Sequence, residues 1–313
     1  MLSYFIRRLL AAIPVMLVVA LSVFLLLRLA PGDPAVIIAG DMASPAQVES
    51  IRVALGLDQP IYTQFVIWMG NMLQGDFGTS LISQTSVLSM ITQRLAPTVS
   101  LAVAAIVFTV LISVPLGVIA AWRQGSWIDN LVMSISVVGF SVPVFVIGYI
   151  VIQVFAINLG WLPVQGYRSL EHGFTEFASR LVLPALTLSS VYIALIARMT
   201  RASMLEVLKE DYIRTARAKG LGERLVLFRH ALRNAGVPIL TVIGTGFALM
   251  VSGVVVTESV FNIPGLGRLI IDAVLARDYP VIQAIILLTA GLYVLINLLI
   301  DLSYAVTDPR IRY

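Results

Sequence analysis

The sequence predicts an all-α integral membrane protein with six transmembrane helices and both termini cytoplasmic. It also predicts an external helical segment after helix 1 and a charged cytoplasmic loop between helices 4 and 5. Three observations carry this. Of 313 residues, 59% are hydrophobic and only 12% are charged, about half the charged share of an ordinary soluble domain. Six apolar stretches reach the roughly 20 residues that a helix needs to cross a bilayer. Lys and Arg are unevenly shared among the segments between them.

The six stretches are residues 9–29, 97–121, 128–157, 181–199, 237–256 and 281–306. Arg7 and Arg8 precede the first, as in a signal peptide, but the run is too long for a signal core and no small-residue cleavage site follows. It reads as an uncleaved membrane helix. With the N-terminus inside, the cytoplasmic segments hold Arg7, Arg8, Arg123, Arg198, Arg201, Lys209, Arg214, Arg217, Lys219, Arg224, Arg229, Arg233, Arg310 and Arg312, fourteen of the 21 basic residues. The outer segments and their margins hold the other seven, Arg28, Arg52, Arg94, Arg168, Arg180, Arg268 and Arg277. That excess sets the orientation.

Residues 1–30 therefore form the N-terminus and first helix, 31–96 an external segment, and 97–313 a transmembrane core with an inner loop at 200–236. The prolines of APGDPA (30–35) end the first helix. Residues 44–56 predict a short helix, capped by Ser44, with Pro45 at its first position and Gly56 at its end. Residues 59–73 predict a second, with Ile61, Phe65, Trp68, Met69 and Met72 on one face. This segment reads as a cap on the outer helix ends, or as a lid or docking surface. The second and third stretches are rich in small residues and proline (Pro115, Gly117, Gly139, Ser141, Pro143, Gly148), which serve close packing and kinks or a bend beside a path. Residues 158–180 form an outer loop with Trp161 at the interface and a solvated His172. Residues 257–280 form another, where Pro264, Gly265 and Gly267 force a turn. Its Val260, Phe261, Ile263 and Leu266 suit a re-entrant course.

The absence of cysteine excludes disulfides and thiolate metal sites, and two histidines are too few for a metal cluster. Membrane-embedded charges flag function by default. Arg28, Glu258 and Asp301 sit near helix ends, where they can snorkel or hydrate. Gln153 and Asn297 are the better buried polar candidates, for structural hydrogen bonds or for lining a path. No mid-membrane carboxylate marks an ion-coupled carrier. Neither Lys209 nor Lys219 follows a glycine, so the chain has no phosphate-binding loop. No catalytic or metal-binding constellation stands out.

The charged loop centres on residues 211–238. Residues 204–219 predict one helix, with Leu205, Leu208, Tyr212, Thr215 and Ala216 on a face, stopped by Gly220 and Gly222. Residues 223–234 predict a second, with Leu225, Phe228 and Leu232 on one side. The basic residues suit the positive-inside rule or anionic lipid. The apolar stripes and the glycine corner favour a plug for a cytoplasmic partner.

These residues resemble the permease subunits of bacterial ATP-binding cassette importers, in particular the peptide-transport group of dipeptide, oligopeptide and glutathione permeases with the related nickel permeases. The resemblance covers essentially the whole chain: FIRRLL (5–10), LAPGDPA (29–35), LGLDQP (55–60), GDFGTS (75–80), DYIRTARAKGL (211–221), HALRNA (230–235), VFNIPGLGRL (260–269), RDYPVIQA (277–284) and DPRIRY (308–313). Of the importers' general loop motif, Ala216, Gly220 and Leu232 are kept, while Arg214, Thr215, His230 and Arg233 depart from it. The peptide-group variant RTARAKGL is present whole.

The resemblance implies a permease subunit of an ATP-driven importer of di- or oligopeptides, or of glutathione, in the bacterial inner membrane. It implies that Arg214, Thr215, Ala216, Arg217, Ala218, Lys219, Gly220, Leu221 and Gly222 couple to an ATPase. It implies as partners a second, similar permease chain, two ATPase subunits that hold the ATP and Mg, and an external binding protein, with no nucleic acid. Ser141, Pro143, Gln153, Asn297, Glu258, Pro264 and Gly265 are the candidates for lining or gating the path. The alternatives are a nickel permease of the same group, or a stand-alone channel or ion-coupled carrier.

Overall fold

Open backbone hydrogen bonds are not tolerated in hydrocarbon, so apolar stretches of spanning length close on themselves as helices. The computed structural model describes residues 2–29, 34–39, 43–54 and 56–307, and its regular elements there are helices joined by turns and loops. Among the described residues the only extended pairing is an isolated bridge, Thr79–Ser86. The expectations for residues 30–33, Leu55 and residues 308–313 lie outside the described residues. So do those for the side chains of Arg28 and Asp301.

In order the helices are α1 (Leu2–Leu29), α2 (Pro34–Ala39), α3 (Pro45–Ala54), α4 (Ile61–Leu73), α5 (Val87–Trp122), α6 (Trp127–Ser141) and α7 (Val144–Val151), which runs on as a π turn (Ile152–Asn158). A 3₁₀ turn (Leu170–His172) leads into α8 (Phe174–Val207) and α9 (Asp211–Ala218). Then α10 (Glu223–Leu225), a π segment (Val226–Ala231) and α11 (Leu232–Asn234) run into α12 (Gly236–Val260), followed by α13 (Leu266–Ala276) and α14 (Tyr279–Thr307). Among the described residues five helices are long and apolar enough to cross a membrane, and α6 with α7 and its extension makes a sixth only as a bent span.

That bend corrects the single helix expected over 128–157. The two halves meet at 108°. Pro143 has no N–H to donate and drives Val142 into the extended region, at φ −85° and ψ 128°. Three further expectations shift. The 204–219 helix is split, because α8 ends at Val207 and a turn precedes α9. The helix over 223–234 is wound partly as π turns. The outer loop 257–280 contains helix α13, so Gly267 lies inside a helix rather than in a turn.

The chain packs as two units. One comprises Ile6–Leu95 and Leu269–Val294. Here Ser44 caps α3 as expected, its Oγ accepting from the Gln47 N–H at 3.4 Å while Gln47 Oε1 accepts from the Ser44 N–H at 2.8 Å. On α4, Phe65 and Trp68 pack against Phe24 of α1, with ring centroids 5.3 and 5.5 Å away. The buried Asp278 accepts from the Ser80 hydroxyl and from the Leu81 N–H, the latter at 3.0 Å. This joins the GDFGTS and RDYPVIQA motifs.

The other unit comprises Met1–Phe5, Ala96–Arg268 and Leu295–Tyr313. Helix α8 is its centre, with over half of its apolar stretch buried. Its 34 residues extend about 50 Å, beyond the roughly 30 Å of a hydrocarbon core. As a sequence it is the least apolar span because protein surrounds it. Ser189 donates to the Ala105 carbonyl of α5 at 2.8 Å, and Gly117 of α5 meets α8 so closely that a Cβ there would lie 2.5 Å from Thr200 Cβ. One core cluster joins Leu101, Leu183, Leu188, Met250, Val254, Phe261 and Ile263. A second joins Val118, Met204, Ile213, Ala216, Val226, Leu227, Ala231 and Ile239.

Candidate functional site

The charged loop is built on that second cluster. Ile213 and Ala216 of α9, with Val226, Leu227 and Ala231 of the π segment, are buried against Val118, Ala121, Met204 and Ile239. Of the faces expected, Leu205, Leu208 and Leu232 pack against this cluster and Ala216 is buried in it, while the remaining residues stay outside. Tyr212 and Thr215 are exposed, and the stripe of Leu225 and Phe228 is 41% and 50% exposed. The winding explains the second case: π turns rotate successive side chains less than α turns, so Val226 and Leu227 take the inner face.

Between α9 and α10 the chain turns on Gly220, at φ +76°. Its N–H reaches the Arg217 carbonyl at 2.9 Å, closing α9 as a left-handed glycine does. Nothing lies within 4 Å of where a Cβ would stand. Conformation, not space, calls for glycine there. Arg217 spans the corner and donates to Glu223 from Nη2 at 2.7 Å and from Nε at 3.3 Å. Those hydrogen bonds hold the guanidinium still more firmly in its charged form. Ala216 is buried, while Arg214, Thr215, Arg217, Ala218, Lys219, Gly220, Leu221 and Gly222 are exposed. The loop is a fixed corner presenting basic groups and a rim of Tyr212, Leu221, Leu225 and Phe228.

The path candidates separate. Ser141 and Pro143 are exposed at the α6–α7 break, and Ser141 Oγ donates to the Val137 carbonyl at 2.8 Å. Gln153 is exposed rather than buried, and it donates to Asn158 at 3.0 Å. Asn297 is half-buried on α14 and Pro264 is exposed.

Glu258 neither snorkels nor hydrates; it is fully buried. Its Oε1 accepts from Thr98 Oγ1 at 2.6 Å and its Oε2 from the Arg268 N–H at 3.1 Å, while Thr98 Oγ1 accepts from the Leu266 N–H at 2.8 Å. Both backbone donors belong to the first turn of α13, where orphan N–H groups favour a carboxylate. The turn at 263–265 closes directly over it: a Cβ on Gly265 would lie 2.0 Å from Glu258 Oε1. Gly265→Ala is expected to cost about 1–3 kcal/mol through overpacking, read as a lower unfolding midpoint. In a Glu258→Ala background the same change is expected to cost less, which a thermal double-mutant cycle checks.

Sequence reasoning passed over one pair. Asp129, at the start of α6, is 2% exposed and binds Arg201 of α8 through two parallel contacts, Nε–Oδ1 at 2.5 Å and Nη2–Oδ2 at 2.6 Å. The Gly125 N–H completes the carboxylate's partners at 3.0 Å. The available signal was Ser126-x-x-Asp129, a helix-start pattern, and indeed Ser126 Oγ accepts from the Asp129 N–H at 3.4 Å.

A family described as binding-protein-dependent transport system inner membrane component matches residues 113–313, and the N-terminal part of such membrane components matches residues 1–102. The chain is 56% identical over 310 residues, 99% of each chain, to a probable peptide ABC transporter permease of Sinorhizobium fredii. It is 47% identical over the full length of both chains to the glutathione transport system permease of Escherichia coli. A chain of the inward-facing MetNI methionine ABC transporter superposes with a TM-score of 0.59 at 18% identity, covering 71% of this chain and 97% of that one, a likeness of fold.

Proposed function

Because this chain belongs to the family of binding-protein-dependent transport system inner membrane components, we propose that it forms half of the path of an importer for di- and oligopeptides, glutathione among them. It is a multi-pass inner-membrane permease subunit, a transport component without a catalytic role. The peptide assignment draws on the names of the relatives that match end to end.

In this reading both termini and the loop at 200–236 face the cytoplasm, and a second, similar permease chain completes the path. Two ATPase subunits hold the ATP and Mg, and the loop from Arg214 to Gly222 seats in a groove of one of them. One observation supports this above the others: the loop buries one face on the transmembrane core and leaves a rim of Tyr212, Leu221, Leu225 and Phe228 exposed among basic residues. An exposed apolar patch rimmed by charge suits a protein partner. Fixed to the core by Ile213, Ala216, Val226 and Leu227, the loop moves α8 and α12 when the partner moves it. The external segment at 31–96 lies on the side where a binding protein delivers substrate.

Proteoliposomes test the reading. With the partner permease, both ATPases and the binding protein, a labelled dipeptide or glutathione is expected to accumulate only when ATP is supplied on the ATPase side. Accumulation by this chain alone, with no ATPase present, would overturn it.

A further inference from the structure

Helix α4 (Ile61–Leu73) carries no charged residue, while Asp58 and Asp76 stand exposed just beyond its ends. Its outward face is apolar: Tyr62 is 72% exposed, Val66 67% and Leu73 81%. At 100° per residue these three fall within about 40° of one another. A helix lying against water carries polar or charged residues on that face. Thirteen residues extend about 20 Å, too short to cross a bilayer.

A flanking side of α4 ties it to a membrane helix. Phe65 and Trp68 pack on Phe24 of α1. Phe24 lies five residues before the end of α1, a rise of about 7–8 Å. The outer faces of Leu9, Ile13, Leu17, Val18 and Leu21 on α1 are exposed and apolar along a stretch long enough to span. These ring contacts hold α4 beside the last turns of α1, a helix whose exposed apolar stretch is of spanning length.

We propose that α4 lies in the plane of the membrane–water interface, with Tyr62, Val66 and Leu73 set into the acyl boundary and Asp58 and Asp76 at headgroup level. The occupant of this face is lipid, and Tyr62 is of a residue type that collects at such boundaries. The helix then fixes the height of the external segment and leaves the charged α3, with Glu49 and Arg52, turned to water.

The absence of cysteine makes the test direct. Spin labels are placed singly in Val66→Cys, Leu73→Cys, Asn71→Cys and Arg52→Cys within the complete importer, in nanodiscs of phosphatidylethanolamine and phosphatidylglycerol. Only labelled complexes that retain ATP-driven uptake are read. Relaxation by oxygen relative to a water-soluble nickel chelate is expected to be several-fold higher at 66 and 73 than at 71, about half a turn away, and at 52. Equal ratios at all four sites would place α4 in water and overturn the proposal. Shielding of 66 and 73 from both relaxants would assign the face to protein instead, to the second permease chain if it holds throughout or to the binding protein if it appears only on its addition. Either result also overturns the lipid assignment without touching the transport function.

Discussion

In Gly220→Pro, ATP-driven uptake is expected to fall about tenfold or more while the chain still inserts and its ATPase partners still hydrolyse ATP. Proline holds φ near about −65°, whereas this corner requires +76°. The substitution also removes the N–H that reaches the Arg217 carbonyl. The corner must then open, and a change of about 1.4 kcal/mol in how the loop seats is already tenfold in occupancy. Gly220→Ala separates conformation from crowding. No atom stands near the new Cβ, so its cost is the left-handed strain alone, about 1–2 kcal/mol, and uptake is expected to fall less than in the proline variant. The measurement is transported substrate per ATP hydrolysed in proteoliposomes. An unchanged ratio in Gly220→Pro would show that the corner plays no part in coupling.

Asp129→Ala is expected to lower stability by about 2–3 kcal/mol, because it strands a half-buried guanidinium whose two hydrogen bonds vanish together. Replacing both members is expected to be milder: Asp129→Ala with Arg201→Met should recover part of the loss, since no charge is then left unpaired. Reversible denaturation in mixed micelles reads both. Additive losses would mean that the two side chains act independently, against the bidentate geometry.

The two cases differ in how visible they are along the chain. Gly220 stands in RTARAKGL, and a glycine following a helix-forming run signals a left-handed stop. Asp129 and Arg201 are 72 residues apart. Each alone has an ordinary explanation, a helix cap and a basic residue at the inner membrane face, and only packing of α6 on α8 makes them one feature. Glu258 falls between. Its neighbours in ESVFNIPGLG mark a turn, but the carboxylate's second partner, Thr98, comes from α5.

Hydrophobicity and helix punctuation are local, so the sequence by itself determined the membrane class, the capped helix α3, the glycine corner and the family pattern spread over nearly the whole chain. Which face of a helix is buried depends on what packs against it. Tertiary structure alone therefore decided that Ile213, Val226 and Leu227 anchor the loop, that Tyr212, Leu225 and Phe228 stay exposed, and that Glu258 is enclosed beneath Gly265. It also decided that the least apolar span, α8, is the central one. A helix surrounded by protein can satisfy its hydroxyls on neighbouring carbonyls, whereas a helix facing lipid has only hydrocarbon to meet.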